Sequence, residues 1–255
     1  MDSKQSAARR KNRPQSSRPK IPPGRVVFAI GDIHGRADLL AELLDRIREV
    51  RQHRAAPEAV VVFLGDYVDR GEQSRAVIDL LLSDPLPDFE TVHLMGNHEI
   101  ILLDFLDDYE VARGWLQYGG DATLMSYGLK PRRFDPTDES LRQLQAEFRR
   151  VLPKPHLSFL QNLQLSHVEG DFAFVHAGIR PGVALDDQVA DDLLWIRGPF
   201  LSSDADFGQV VIHGHTITDD PEIRHNRIGI DTGAFATGRL TCLVLEDDTQ
   251  EFLST

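Results

Sequence analysis

Val60-Val61-Val62-Phe63-Leu64-Gly65-Asp66-Tyr67-Val68-Asp69-Arg70-Gly71 sets the pattern for this 255-residue chain: an apolar run, a glycine, then carboxylates and a cation. The run is short and rich in β-branched residues, as a buried strand is, and the glycine lets the backbone turn sharply or approach an ion closely. Two other stretches repeat the form. Val26 to Ile30 leads into Gly31-Asp32-Ile33-His34, and Thr91 to Met95 leads into Gly96-Asn97-His98-Glu99. Two further runs, Phe172 to Val175 and Val210 to Ile212, end on His176 and on His213-Gly214-His215. Five strands therefore each deliver a metal-ligand type of side chain at the C-terminal end, the edge of an open α/β sheet where ligands bind.

Between the first runs the period changes. Leu39, Leu40, Leu43, Leu44, Ile47 and Val50 recur at three- and four-residue steps, predicting an amphipathic helix over Ala37 to Arg51. Val77, Ile78, Leu81 and Leu82 repeat the pattern, so strand and helix alternate as in right-handed crossovers of a parallel sheet. Residues 99–165 read as a mainly helical cap or side wall, with Leu141, Leu144, Phe148 and Val151 on one face and Pro153 and Pro155 ending it. Short strands then return at Phe172 to Val175, Val210 to Ile212, Ile228 to Ile230 and Leu240 to Leu245. They are expected to form a second, more antiparallel sheet.

Charge is uneven. The net charge is −12, yet residues 1–25 hold eight basic residues and one acid, so the body is more acidic than the whole. Such a body repels nucleic acid and anionic lipid. Residues 1–23 are poor in apolar groups and rich in Pro and Ser, which predicts a disordered basic tail; it either solubilises the chain or contacts an anionic partner. Residues 24–255 form the folded unit. No run is long enough for a membrane span, and one cysteine, Cys242, excludes an intrachain disulfide, in keeping with a cytoplasmic setting.

Asp32, His34, Asp66, Asn97, His176 and His215 make a set of carboxylates, one amide oxygen and imidazoles, with no thiolate. Such a set suits manganese, iron or zinc better than magnesium or calcium. Asp32 and His34, two apart at a strand end, can chelate one ion, and a carboxylate such as Asp66 can bridge two. Burying several carboxylates for structure alone is too costly, so the pattern points to a dinuclear phosphoester hydrolase. His53, His93, His156, His167 and His225 read as ordinary core or surface residues, while His213 is open between a ligand and a brace for His215.

Those five blocks, Gly31-Asp32-Ile33-His34-Gly35, Gly65-Asp66-Tyr67-Val68-Asp69-Arg70-Gly71, Gly96-Asn97-His98-Glu99, His176-Ala177-Gly178 and His213-Gly214-His215-Thr216, resemble the signature of the phosphoprotein phosphatases within the calcineurin-like metallophosphoesterases. Trp195-Ile196-Arg197, Ile230-Asp231-Thr232-Gly233 and Gly238-Arg239-Leu240-Thr241 are similar to the bacterial and bacteriophage lambda type. The resemblance implies an α/β fold of two mixed β-sheets packed as a sandwich and flanked by helices. It also implies two divalent transition metal ions, manganese foremost: one on Asp32, His34 and Asp66, the other on Asp66, Asn97, His176 and His215. By the same likeness a hydroxide between the ions attacks phosphorus, His98 protonates the leaving alkoxide, Asp69 orients His98, and Arg70 and Arg197, beside Asn97, grip the phosphate. Arg180 is left out as a surface loop residue. The Ser-Ala-Pro-Asn-Tyr block of eukaryotic members is absent.

The implied function is hydrolysis of phosphoserine and phosphothreonine, with phosphotyrosine as an extension, on phosphorylated proteins or peptides. The alternative is a symmetrical dinucleoside tetraphosphate hydrolase, whose second block typically has Ala at the place of Asp69 and whose third ends in Asp rather than Glu99. A third reading, a binding module without catalysis, conflicts with the intact ligand set. Trp115, Tyr118 and Tyr127 are expected to pack the cap rather than hold bases. Asp104, Asp107, Asp108 and Glu110 are expected to form an acidic wall near the site, favouring basic peptides over polyphosphates.

Overall fold

The structure, a computed structural model, describes residues 18–131 and 136–255. The expected tail falls mostly outside the described residues, but its end does not. Ile21 is buried, its N–H donates to Asp247 O (2.9 Å), and Lys20 N–H donates to Asp171 Oδ2 (2.9 Å). The folded body thus begins before residue 24, because a single β-branched side chain finds a slot between the sheets.

Two five-stranded sheets form the centre. In the first, β1 (Arg25–Ile30), β2 (Glu58–Phe63) and β3 (Glu90–His93) run parallel. The helices α1 (Ala37–Gln52) and α2 (Ser74–Leu82) make the crossovers. The strands read as continuous apolar runs because both faces are covered. Val27, Ala29, Val60 and Val62 face the other sheet, while the alternate residues Val26, Phe28, Ile30, Val61 and Phe63 face the helices.

The helical wall follows: α3 (Asn97–Asp107), α4 (Ala112–Trp115), α5 (Gly120–Ser126), α6 (Asp138–Val151) and α7 (Lys154–Gln161). Here one expectation is corrected. Pro153 precedes α7 and Pro155 lies in its first turn, where a missing N–H is tolerated, so Pro155 starts a helix rather than ending one.

The second sheet has the order β4 (Ser166–Glu169), β5 (Phe172–Val175), β6 (Val210–His213), β8 (Arg227–Gly229), β7 (Glu222–Ile223). Its central pairs, β5 with β6 and β6 with β8, are parallel, and only the outer pairs are antiparallel. The run from Leu240 belongs elsewhere. As β9 (Thr241–Glu246) it pairs antiparallel with β1, and β10 (Thr249–Ser254) extends that first sheet. The connections through α8 (Ala190–Trp195) and α9 (Gly198–Leu201) cover the outer face of the second sheet, with Phe200 buried against Val211. A last short helix, α10 (Ala234–Thr237), precedes β9. No helix is long and apolar enough to cross a membrane among the described residues.

Candidate metal centre

The sandwich brings five C-terminal strand ends to one edge. His176 joins the two sheets there, its Nδ1–H donating to Leu64 O (2.9 Å), while Gly214 N–H donates to His176 O (2.8 Å). Glycines make the convergence sterically feasible: a Cβ on Gly96 would collide with the Asp66 carboxylate, and one on Gly214 with that of Asp32. His34, Asp66, Asp69, Arg70 and His215 all adopt positive φ (45°, 51°, 71°, 67° and 62°), a conformation costly for residues with a Cβ. Strain is therefore concentrated on residues that carry chemistry.

Asp66 is the hub. Its Oδ2 lies 3.3 Å from His34 Nε2 and its Oδ1 3.5 Å from His176 Nε2. Asp66 with His34 and His98, and Asp66 with His176 and His215, form two buried groups close enough to hold ions. His34 donates Nδ1–H to Val68 O (2.8 Å), so its Nε2 lone pair points inward, buried and without a partner; His215 Nε2 is also unpartnered. Likewise His176 Nε2 presents a lone pair 2.9 Å from Asn97 Oδ1, which lies 2.8 Å from His215 Nδ1. Polar atoms converging on one another in a buried site, with His34 and His176 each fixed by a backbone carbonyl through the other nitrogen, fit a cation. Asn97 is thus at the centre. Asp32 stands apart from both groups: its oxygens accept from His215 N–H (3.2 and 3.0 Å) and face the carboxyl of Asp231.

The charge states follow from burial. Burial pushes His34 down to about 3 and His215 to about 2, so both are neutral donors. Burial works against the charge on Asp66 too, but the surrounding imidazoles hold it below the usual carboxylate range. Among these imidazoles His176 acts most strongly on Asp66, followed by His98. Burial lowers His98, yet the Asp66 charge and the bond to Asp69 outweigh this and raise it to about 9.

Asp69 is fully buried and accepts three bonds: from His98 Nδ1 (2.6 Å), Trp115 Nε1 (2.7 Å) and Thr123 Oγ1 (2.6 Å). The far side of His98, Nε2, lies 3.3 Å from Arg70 Nη2, and the Arg70 guanidinium stacks 4.8 Å above the Phe235 ring. Two N–H donors side by side leave room for an anion between them. Arg197 is exposed, donates to Thr216 Oγ1 (3.1 Å), and acts on His176 and His215 through its charge. Arg180 is tied to Asp192 by two bonds (2.6 and 2.7 Å). His213 lies edge-on to Phe200, with its Nδ1 3.1 Å from Gly214 O, and belongs to neither of the two buried groups.

The supporting roles of several residues are absent from the sequence reading. Glu99, fully buried, accepts N–H bonds from Asp66 (2.8 Å), Tyr67 (2.8 Å), Val68 (3.2 Å) and Gly96 (3.0 Å), fastening the second block to the third. Its place three residues after Gly96, the N3 position of α3 from which a Glu side chain can accept the N-cap N–H, was the available signal. Nothing in spacing foretold Trp115 and Thr123 on Asp69. Trp115 does pack the wall, as does Tyr127, but Tyr118 is 69% exposed. The aromatic rings beside the centre come from the other half: Phe235 edge-on to His34 (5.6 Å) and Trp195, 42% exposed, edge-on to His215 (6.2 Å). The acidic wall is also corrected. His98 lies in the first turn of α3, whereas Asp104, Asp107 and Asp108 lie at or beyond its last turn, about 9 Å or more along the axis, with Asp107 next to Arg149 of α6.

The sequence model of the calcineurin-like phosphoesterases matches residues 25–234. The chain belongs to the calcineurin-like phosphoesterase family. Members of this family use divalent metal ions, and the two buried groups around Asp66 are suitable ligands. Similar family members include two proteins named serine/threonine-protein phosphatase 2. That of Salmonella typhimurium is 26% identical, covering 85% of this chain and 91% of the relative, and that of Escherichia coli is 28% identical with the same coverage. Among solved structures, a cold-active protein tyrosine phosphatase superposes with a TM-score of 0.60 at 18% identity, covering 92% of this chain and 81% of that chain. A candidate diadenosine tetraphosphatase does so with 0.57 at 20%, covering 90% and 93%. These likenesses establish the fold alone.

Proposed function

We propose that this chain is a metal-dependent phosphoprotein phosphatase hydrolysing phosphoserine and phosphothreonine in proteins or peptides, with manganese as its metal and the cytoplasm as its setting. The observation that carries this is the pair His98–Asp69 beside Asp66 and Arg70: a protonated imidazole, locked by a buried carboxylate, presented next to a cation at the edge of a ligand cluster. An alkoxide is a poor leaving group unless protonated, which is the task such an imidazole performs. Asp32, His34, Asp66, Asn97, His176 and His215 hold the ions. When bound, two ions lower the pKa of water and clamp the oxygens of an in-line displacement. Arg70 and Arg197, with Asn97 between the imidazoles, orient the phosphoryl group. The names of the two bacterial relatives support the same substrate class.

A second reading, a symmetrical dinucleoside tetraphosphate hydrolase, draws support from Phe235 and Trp195, rings that a nucleobase could stack on. The deciding experiment strips the protein with a chelator, counts the Mn²⁺ ions it takes up, and compares kcat/KM for phosphothreonine peptides and diadenosine tetraphosphate. Two ions per chain, no turnover without them and a higher value for the peptides are expected. Activity with one ion or none refutes the dinuclear site, and a higher value for the dinucleotide replaces the first reading by the second.

A further inference from the structure

Asp231 follows β8, the strand parallel to β6. Because His213 pairs with Gly229, Asp231 stands level with His215, at a sixth strand end on the ligand edge. The residue is 2% exposed. Its Oδ1 accepts from Gly233 N–H (2.9 Å), while its Oδ2 is buried with no partner. Two other atoms at this centre share that condition, His34 Nε2 and His215 Nε2, and both belong to expected ligands.

An unpartnered buried carboxylate oxygen costs far more than an unpartnered imidazole nitrogen, and Asp231 also touches the carboxyl of Asp32, itself buried. Among the described residues no basic side chain forms an ion pair with it: Arg239, in the same loop, is paired with Asp220, and Arg70, whose charge does act on Asp231, lies over the Phe235 ring. A cation between the two carboxyls would satisfy Oδ2, offset their repulsion, and recruit Asp32, which stands apart from the two groups centred on Asp66. We propose that Asp231 is a further carboxylate of the cation site, acting with Asp32 on the His34 side of the centre through its free Oδ2. This rests on the metal-dependent reading above. The competing account is a purely structural pair in which Asp32 and Asp231 share one proton.

Titration of metal-free protein with Mn²⁺ by calorimetry separates these. Wild type is expected to bind two ions, and Asp231→Asn, which keeps the shape and the Gly233 bond, to lose about 10- to 100-fold in affinity for one of them. Equal affinity for both ions in a folded Asp231→Asn protein would overturn the inference while leaving the metal-dependent reading intact. Wild type that binds no ion overturns both. Should the variant fail to fold, crystals of wild type soaked in Mn²⁺ decide: an anomalous peak within bonding distance of Asp231 Oδ2, about 2–2.5 Å, or one water away supports the inference. Asp231 turned to Asp32 alone, remote from every ion, refutes it.

Discussion

Asp69→Asn tests the acid. Asp69 and Asp66 together overcome burial to raise His98 from 6.5 to about 9, a net effect of roughly 3 kcal/mol at about 1.4 kcal/mol per unit. Asp69 contributes to this rise through both its hydrogen bond and its charge, so its loss should lower the His98 pKa by at least about one unit, or about tenfold in protonation. Asn also turns an NH₂ toward donors. Of Trp115 Nε1, Thr123 Oγ1 and His98 Nδ1, only some can keep an acceptor, at a cost of about 1–3 kcal/mol in stability. The acid form is the active one and is lost as pH rises through the His98 pKa. The alkaline limb of kcat for an alkyl phosphate should therefore move about one unit toward lower pH, with kcat at its plateau reduced by about 10- to 100-fold. For nitrophenyl phosphate, whose leaving group barely needs a proton, the fall should be several times smaller. An unmoved alkaline limb, or equal losses on the two substrates, would refute the assignment of Asp69 as the residue that charges His98.

His98→Asn should lower kcat for alkyl phosphates by about 10²- to 10⁴-fold and for nitrophenyl phosphate by much less; parallel steady-state assays check this, and equal losses would point to phosphate binding instead. Glu99→Gln replaces one oxygen of a carboxylate that four N–H groups share, so chemical denaturation should show about 2–3 kcal/mol lost. Kinetics should show kcat falling with KM little changed, since Asp66 and His98 lose their common register. Deleting residues 2–17 should leave kcat/KM on small phosphoesters within about twofold, whereas Ile21→Ala should cost about 2–4 kcal/mol of stability, read from the denaturation midpoint, because Ile21 is a buried part of the sandwich core.

The strands and the edge at which they deliver ligand-type side chains were legible from periodicity, whereas the sandwich was implied by the family resemblance. An apolar run with both faces buried, broken by Gly and a carboxylate, has few other interpretations, and Val26–Ile30, Val60–Leu64 and Thr91–Met95 sit at the strands nearly residue for residue. The amphipathic α1 was equally plain, since a 3.6-residue repeat is local information. Sheet membership was not. The run Leu240 to Leu245 looks the same whether it closes the second sheet or, as it does, returns to pair with β1, because alternation in a strand says what is buried and never by which neighbour.

The same division holds at the centre. Candidate ligands marked by local spacing, such as Asp32 and His34 two apart or Asn97 straight after its glycine, announce themselves along the chain. Residues that work by supporting another group do not: Trp115 and Thr123 reach Asp69 across 46 and 54 positions, and Phe235 meets Arg70 from the far end of the sequence. The acidic run after His98 erred for the reverse reason, since nearness in sequence became distance once a helix carried it away from the site. Local pattern dictates which side chains arrive at a strand end and with what chemistry. Charge state, orientation and strain depend on what the fold brings beside them, because burial and hydrogen bonding act through space.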